Sequence, residues 1–193
     1  HNGVIENFET LKKELLSQGH TFHSSTDTEV LAHVIGQHYE RVLAEDSQAH
    51  PLQRGDTHPL ARAVLSALQD VTGTYGIAVL SRDYPDVMVG ARRGSPLIVG
   101  IGKDESFLAS DASAVVSHTR QVVYLNDLDV VTLKADAYKV ERVDASTAHV
   151  KVSQLEFKED DVQKGAFPHY MLKEIFEQPR AMENALRGRI DRE

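Results

Sequence analysis

Cysteine and tryptophan are both absent from these 193 residues. Without a thiol, the sequence itself can supply no disulfide framework, no thiolate metal site and no cysteine nucleophile. A cysteine-free chain suits a reducing compartment, and a cytoplasmic location is the expectation. No apolar run approaches the ~18 residues that suggest a membrane span, and no apolar stretch of the secretory type is present. The chain opens on His1-Asn2-Gly3 rather than on Met, so a processed or truncated product is expected. Positive charge is in deficit, with 21 Lys+Arg against 29 Asp+Glu and a formal net charge of −8. That balance disfavours nonspecific contact with nucleic acid or anionic lipid, so neither nucleic acid nor membrane is an expected partner.

What remains is the composition of an ordinary globular chain, 41% hydrophobic and 26% charged. A chain of this length can bury roughly 70% of its extended surface, enough to fold without a staple. Its apolar periodicity changes along its length. Phe8, Leu11, Leu15 and Leu16 recur at helical spacing before a stop at Gly19, with Asn7 a candidate cap and Val4-Ile5 the end of a strand. Thr26-Asp27-Thr28-Glu29 matches a capping box, and Val30, Leu31, Val34 and Ile35 supply the apolar face of a second helix. Asp56-Thr57-His58-Pro59 announces a third, whose stripe Leu60, Val64, Leu68 and Val71 stops at Gly73. The polar stretch 44–56 between them reads as a loop.

From Thr74 onward the runs are short and β-like: 75–81, 87–92, 97–101, 106–109, 121–125, 129–133 and 138–143. Turn residues such as Asp83-Tyr84-Pro85-Asp86 bound them, and a short helix is predicted over 111–116. Helices followed by closely connected strands predict an α+β fold with a mostly antiparallel sheet. Residues 146–164 carry the charged run Glu156-Phe157-Lys158-Glu159-Asp160-Asp161 and read as a linker rather than an edge strand. A helical segment over 170–176 is expected to break at Pro179, with another from Arg180 to Arg187. That tail has too few apolar positions for a core of its own and should dock on something else.

Three residues are candidates for chemistry. Asn2-Gly3, where a strand runs into an amide side chain and a side-chain-free backbone N–H, could offer two convergent donors of the oxyanion-hole kind, or could be a tight turn. Asp27 could hold a substrate ammonium group, or could simply favour the positive end of its helix. The ten histidines lack the four-residue spacing that puts two imidazoles on one helix face, and no metal site is predicted. His33 is expected towards the core and His38 towards solvent. Arg92-Arg93-Gly94-Ser95-Pro96 reads as a β-turn with solvated arginines, since no GxxxxGK[ST] pattern accompanies it, and no Gly-x-Ser-x-Gly elbow appears.

His1-Asn2-Gly3-Val4-Ile5-Glu6-Asn7 resembles a stretch of the class II (N-terminal-nucleophile) glutamine amidotransferases. The likeness continues in order through Gly19-His20-x-Phe22, Ser25-Thr26-Asp27-Thr28-Glu29-Val30, Gly73-x-Tyr75-x-x-Ala78-Val79-Leu80, Ala91-Arg92-Arg93-Gly94-Ser95-Pro96-Leu97 and Ala109-Ser110-Asp111. The segment Lys164-Gly165-x-x-x-His169-Tyr170-Met171-x-Lys173-Glu174-Ile175-x-Glu177-Gln178-Pro179 resembles the junction with the sugar-isomerase domain in the isomerizing glutamine–fructose-6-phosphate aminotransferase family. The Asn-Gly and Thr-Asp-Thr-Glu segments belong to glutaminases broadly; the last segment is specific to that branch.

The resemblance implies a four-layer αββα sandwich of the N-terminal-nucleophile hydrolases, incomplete here because its N-terminal part is absent. Residues 1–145 would be the C-terminal part of the glutaminase domain, 146–164 a linker and 165–193 the start of the isomerase domain. It further implies Asn2 and Gly3 in an oxyanion hole and Asp27 on the α-ammonium of L-glutamine. Fructose 6-phosphate would bind through an isomerase domain beyond this sequence. The missing N-terminal glutaminase segment is an expected partner, the complete protein is expected to be a homo-oligomer, and no cofactor is expected. One departure stands out: the family nucleophile is an N-terminal Cys, and the family also carries an Arg-Trp-x-Thr-His segment that closes over glutamine; neither is present. A chain without its central strands should expose apolar sheet surface. The alternative is a noncatalytic regulatory module that binds glutamine or another amino acid.

Overall fold

The computed structural model describes residues 1–48, 56–155 and 164–186. Its first compact unit, His1–Glu156, opens with β1 (Asn2–Ile5), α1 (Phe8–Ser17), α2 (Asp27–Gln48) and α3 (Pro59–Ala67). Strands β2 (Gly73–Ser81), β3 (Tyr84–Arg93), β4 (Ile98–Ile101) and β5 (Ser106–Ala109) follow. A 3₁₀ turn at Ala112–Ala114 then leads to β6 (Gln121–Tyr124), β7 (Asp129–Leu133), β8 (Tyr138–Arg142) and β9 (Val152–Gln154).

The strands form two wholly antiparallel sheets, ordered β1-β2-β3-β7-β8 and β5-β4-β6-β9. Alternation sends the two faces of the first sheet to different cores. Ile5, Tyr75, Ile77, Val89, Ala91 and Val130 pack with the apolar stripes of α1, α2 and α3. The opposite face, through Val131 and Leu133, meets Leu97, Val99, Val123 and Leu125 around the second sheet. The described residues of this first unit therefore stack as helices, sheet and sheet, the α+β arrangement expected. Val4 on β1 and Leu80 on β2 are exposed apolar residues at the edge of the first sheet, as are Tyr124 and Val152 on the second.

Local chemistry explains the helix starts. Asn7 stands at the head of α1 but does not cap it: its amide donates to the Asp70 carbonyl (2.8 Å) and accepts from Thr72 N–H (3.0 Å), tying β1 to the approach of β2. At α2, Thr26 Oγ1 accepts from Glu29 N–H (3.3 Å), half of the expected capping box. Glu29 turns instead to the preceding loop and accepts from the N–H groups of His23 and Ser24 (2.7 Å each) and from the Ser24 hydroxyl. At α3, Pro59 fills the first turn and His58 Nδ1 accepts from Leu60 N–H (3.2 Å). Gly73 has φ +125, and a Cβ there would lie 2.1 Å from the Val4 carbonyl oxygen, so β1 and β2 can pair this closely only with glycine.

Several expectations are corrected. Helix α2 continues through the first residues of the expected loop to Gln48, because Val42 is buried and Arg62 of α3 pairs with Asp46 and with Glu45 (3.2 Å); residues 49–55 lie outside the described ones. Tyr84-Pro85-Asp86 belongs to β3 rather than to a turn. The helix expected over 111–116 is a single 3₁₀ turn, with the Asp111 carboxylate accepting from Ser113 N–H (2.8 Å). His38 is buried, against the expectation that it faces solvent, and His33 is half-buried. His38 sits seven, four and three residues after Leu31, Val34 and Ile35, on the apolar face; there it bonds Ser66 Oγ (2.9 Å) and Asp70 Oδ2 (3.0 Å). Within the stretch read as a linker, Val152–Gln154 is an edge strand paired with β6.

The second compact unit, Phe157–Glu193, contains α4 (Tyr170–Leu186). This helix runs unbroken through Pro179, where a break was expected. Its apolar residues Met171, Ile175, Met182 and Leu186 keep helical spacing across the proline, and all four are exposed. Phe167 stacks on Phe176 with ring centroids 5.6 Å apart.

The α2 start carries a pH signature. Hydrogen bonds from the Ser24 hydroxyl first, then from the backbone, hold Glu29 at about 2 against an ordinary 4.5. A depressed carboxyl pKa contributes stability above the ordinary value and loses it as pH falls through the folded one. In a Glu29→Gln variant the His23 and Ser24 amides should exchange faster at neutral pH, and the difference from wild type should vanish as pH falls from about 4.5 towards 2. Hydrogen exchange across that range checks it; equal protection at neutral pH contradicts it.

Candidate functional site

Strand β1 brings the candidate residues together. It is an edge strand, pairing Asn2 with Gly76, Gly3 with Tyr75 and Ile5 with Gly73. Asn2 and Gly3 are exposed, and Gly3 adopts φ +124. A Cβ on Gly3 would lie 2.2 Å from the Thr74 carbonyl oxygen and 3.1 Å from Ser95 Oγ. The Asn2-Gly3 pair is therefore part of a strand and not a tight turn, and its second position admits glycine for a steric reason.

Asp27, the first residue of α2, faces this strand. Its Oδ2 accepts from Ile5 N–H at 2.9 Å, two residues along from Gly3. Its Oδ1 lies 3.8 Å from His1 Nδ1, and His1 Nδ1 is 3.0 Å from Thr28 Oγ1. The His1 side chain is 3% exposed and that of Asp27 is 23% exposed. One carboxylate oxygen thus fixes the helix start to the strand, while the other has no hydrogen bond to it from the strand backbone. Chemically, such an arrangement can hold a small cation beside a short stretch of edge backbone whose N–H groups the sheet does not all use.

The sequence did not single out His1, since its contacts with Thr28 and Asp27 span 27 and 26 residues. The segment Arg92-Arg93-Gly94-Ser95-Pro96 is likewise different from the solvated turn expected. Arg92 Nη1 donates to the Leu125 carbonyl (2.5 Å), its Nε lies 3.3 Å from Asp127 Oδ1, and Gly94 N–H donates to the same carboxylate (3.0 Å). Arg92 therefore ties the first sheet to the loop before β7, beside the strand that carries Gly76. Tyr75, across from Gly3, is fully buried, and burial raises its hydroxyl pKa.

Other polar clusters lie elsewhere. His20 and His33 approach within 3.1 Å through their Nδ1 atoms, and His33 is 4.0 Å from Glu29. Among the described residues, no three His, Asp or Glu side chains are grouped so as to hold a metal ion. A cleft of ≈ 390 Å³ is lined by Asp56, His58, Thr132, Lys134, Tyr138 and Lys139, remote in sequence from β1 and from the start of α2. Burial, and then the charge of Lys134, push the His58 imidazole pKa down. No helix among the described residues is long and apolar enough to cross a membrane.

A family model described as a glutamine amidotransferase domain matches residues 1–117. The chain is 44% identical over 190 residues to the isomerizing glutamine–fructose-6-phosphate aminotransferase of Chlorobaculum tepidum, covering 98% of this chain and 29% of that protein. It is 43% identical over 193 residues to the enzyme of the same name from Bacteroides thetaiotaomicron, covering 99% and 29%. Among solved structures it is similar to the glutamine phosphoribosylpyrophosphate amidotransferase of B. subtilis complexed with ADP and GMP. That similarity has a TM-score of 0.55 at 24% identity, over 77% of this chain and 29% of the other, and it is a likeness of fold. The chain spans about 29% of the length of the curated relatives it matches.

The steric reading of β1 is testable. Gly3→Ala places a methyl group against the Thr74 carbonyl and forces φ +124 on a residue with a side chain. Such strain costs about 1–3 kcal/mol, so the melting temperature should drop by several degrees. Calorimetry of the full-length variant reads it, and an unchanged melting temperature contradicts the geometry.

Proposed function

The chain belongs to the glutamine amidotransferase domain family, and on that premise we propose that it is the glutaminase portion, with the junction beyond it, of a glutamine–fructose-6-phosphate aminotransferase. In this reading the complete protein hydrolyses glutamine and passes the ammonia to fructose 6-phosphate, making glucosamine 6-phosphate. Residues 1–145, together with the edge strand Val152–Gln154, belong to the glutaminase domain, the rest of 146–164 forms the connection and 165–193 begin the isomerase domain. The protein works in the cytoplasm.

The observation that carries the reading is the contact between Asp27 and Ile5, which places a carboxylate beside the Asn2-Gly3 strand. Asp27 Oδ1 receives the α-ammonium group of glutamine. The Asn2 carboxamide and the Gly3 N–H point their hydrogens at the side-chain carbonyl oxygen as it gains charge. Strand alternation supports this role for Gly3: Ile5 N–H leaves the outer edge of β1 to reach Asp27, and the N–H two residues earlier belongs to the same edge. Losing one donor of this type typically costs ~2.7–4 kcal/mol of activation free energy.

The chemistry requires a thiol that this sequence cannot provide, since it holds no cysteine. The nucleophile therefore comes from another part of the protein. Its sulfur bonds to the carboxamide carbon, the amide nitrogen takes up a proton and leaves as ammonia, and water then cleaves the γ-glutamyl thioester. The local residues hold the amino acid and stabilise the oxyanion.

Two outcomes test the reading. In the full-length protein, Asp27→Ala should lower glutaminase kcat/KM roughly 10- to 150-fold, the worth of ~1.5–3 kcal/mol for a hydrogen bond to a charged group. Most of the loss should appear in the KM for glutamine, and an unchanged KM contradicts the anchor. The 193-residue chain alone should release no ammonia from glutamine, because oxyanion stabilisation does not replace a nucleophile; turnover by a clean preparation overturns the assignment of roles.

A further inference from the structure

The His1 imidazole is packed against the anchor without being used by it. Its side chain is 3% exposed, its Nδ1 is engaged with Thr28 Oγ1 at 3.0 Å, and its Nε2 is buried with no hydrogen-bond partner among the described residues. The described residues offer Nε2 no acceptor, and a buried polar atom left in that state carries a desolvation cost. The charged group in its described contacts is Asp27, from α2, with Oδ1 at 3.8 Å; the other, Thr28 Oγ1, is neutral. Asp27 Oδ2 is already occupied by Ile5 N–H. The oxygen nearest His1 is therefore the one left for a cationic ligand.

We propose that His1 is a positioning residue whose neutral imidazole keeps Asp27 Oδ1 available to an α-ammonium group, and whose protonated form competes with that group for the same oxygen. The inference rests on the reading of Asp27 as the amino-acid anchor. While His1 is neutral, its bond to Thr28 steadies the first turn of α2 and adds no charge to the site. Protonation places a cation 3.8 Å from Oδ1, where its charge repels a substrate ammonium group drawn to the same oxygen. The consequence is selectivity by form: an α-amino acid binds to neutral His1, whereas an analogue without the α-ammonium group is indifferent to its charge.

The test uses the full-length enzyme and compares glutamine with glutaramate, which is glutamine without its α-amino group. Competition for one carboxylate oxygen makes the KM for glutamine grow with the charge on the imidazole. Neither the α-ammonium nor the α-carboxyl group of free glutamine titrates between pH 5.5 and 8. The KM for glutamine should rise severalfold as pH falls from 8 to 5.5, while the inhibition constant of glutaramate stays within about twofold. In His1→Gln, which can keep a hydrogen bond to Thr28 without the charge, the rise in KM should disappear and the pH 8 value should stay within about threefold of wild type. Parallel pH profiles for glutamine and glutaramate in the wild-type enzyme overturn the proposal whether or not the variant folds. A rise in KM that survives His1→Gln overturns it as well. If Asp27→Asn leaves the KM unchanged, the anchor reading itself fails; if Asp27→Asn raises it while the wild-type profiles run parallel, only the role of His1 fails.

Discussion

The hydrogen bond from Ile5 N–H to Asp27 Oδ2 at 2.9 Å joins the two parts of the molecule on which the candidate site depends. It holds the N-terminus of a 22-residue helix against an edge strand. The bond is charge-assisted, and the positive end of the helix favours the same carboxylate. Geometry adds a further condition. Gly3 and Gly73 each bring backbone within a distance that a Cβ would forbid, so β1 can lie against β2 and still present its outer edge to Asp27.

The rest of the first unit supports that strand. Three helices bury one face of the five-stranded sheet, and the four-stranded sheet meets the other. Asn7, which could have served as a simple cap, instead bridges the Asp70 carbonyl and Thr72 N–H, locking the end of β1 to the start of β2. Arg92 and Asp127 do the same between the neighbouring strand and the loop before β7. Buried charge is handled locally. Asp129, 2% exposed, is satisfied by Arg142 Nη1 at 2.9 Å and by the Asn126 N–H at 2.7 Å, the kind of pairing a desolvated carboxylate requires.

Periodicity made most elements legible, because alternation and the 3.6-residue repeat are local properties. The apolar stripes of α1, α2 and α3 are visible as spacing, as are the strands from β2 to β8. Errors arose where partners are distant. The last turns of α2 are polar and read as loop, yet Arg62 on another helix holds them. Helix α4 passes through Pro179, and its apolar stripe keeps its spacing on both sides of the proline. His38 is polar yet buried, and its spacing from Leu31, Val34 and Ile35 puts it on the apolar face of α2.

The sequence by itself determined the element types, the α+β class and the chemical inventory: no thiol, an Asn-Gly pair, and an acid at the head of a helix. These follow from composition and from interactions within a few residues. Only the tertiary structure decided that Asp27 faces β1, that Gly3 admits no side chain, and that His1 is buried beside the anchor. Each of those depends on atoms more than twenty residues apart, whose distances are set by sheet pairing and helix packing, and no local pattern encodes them.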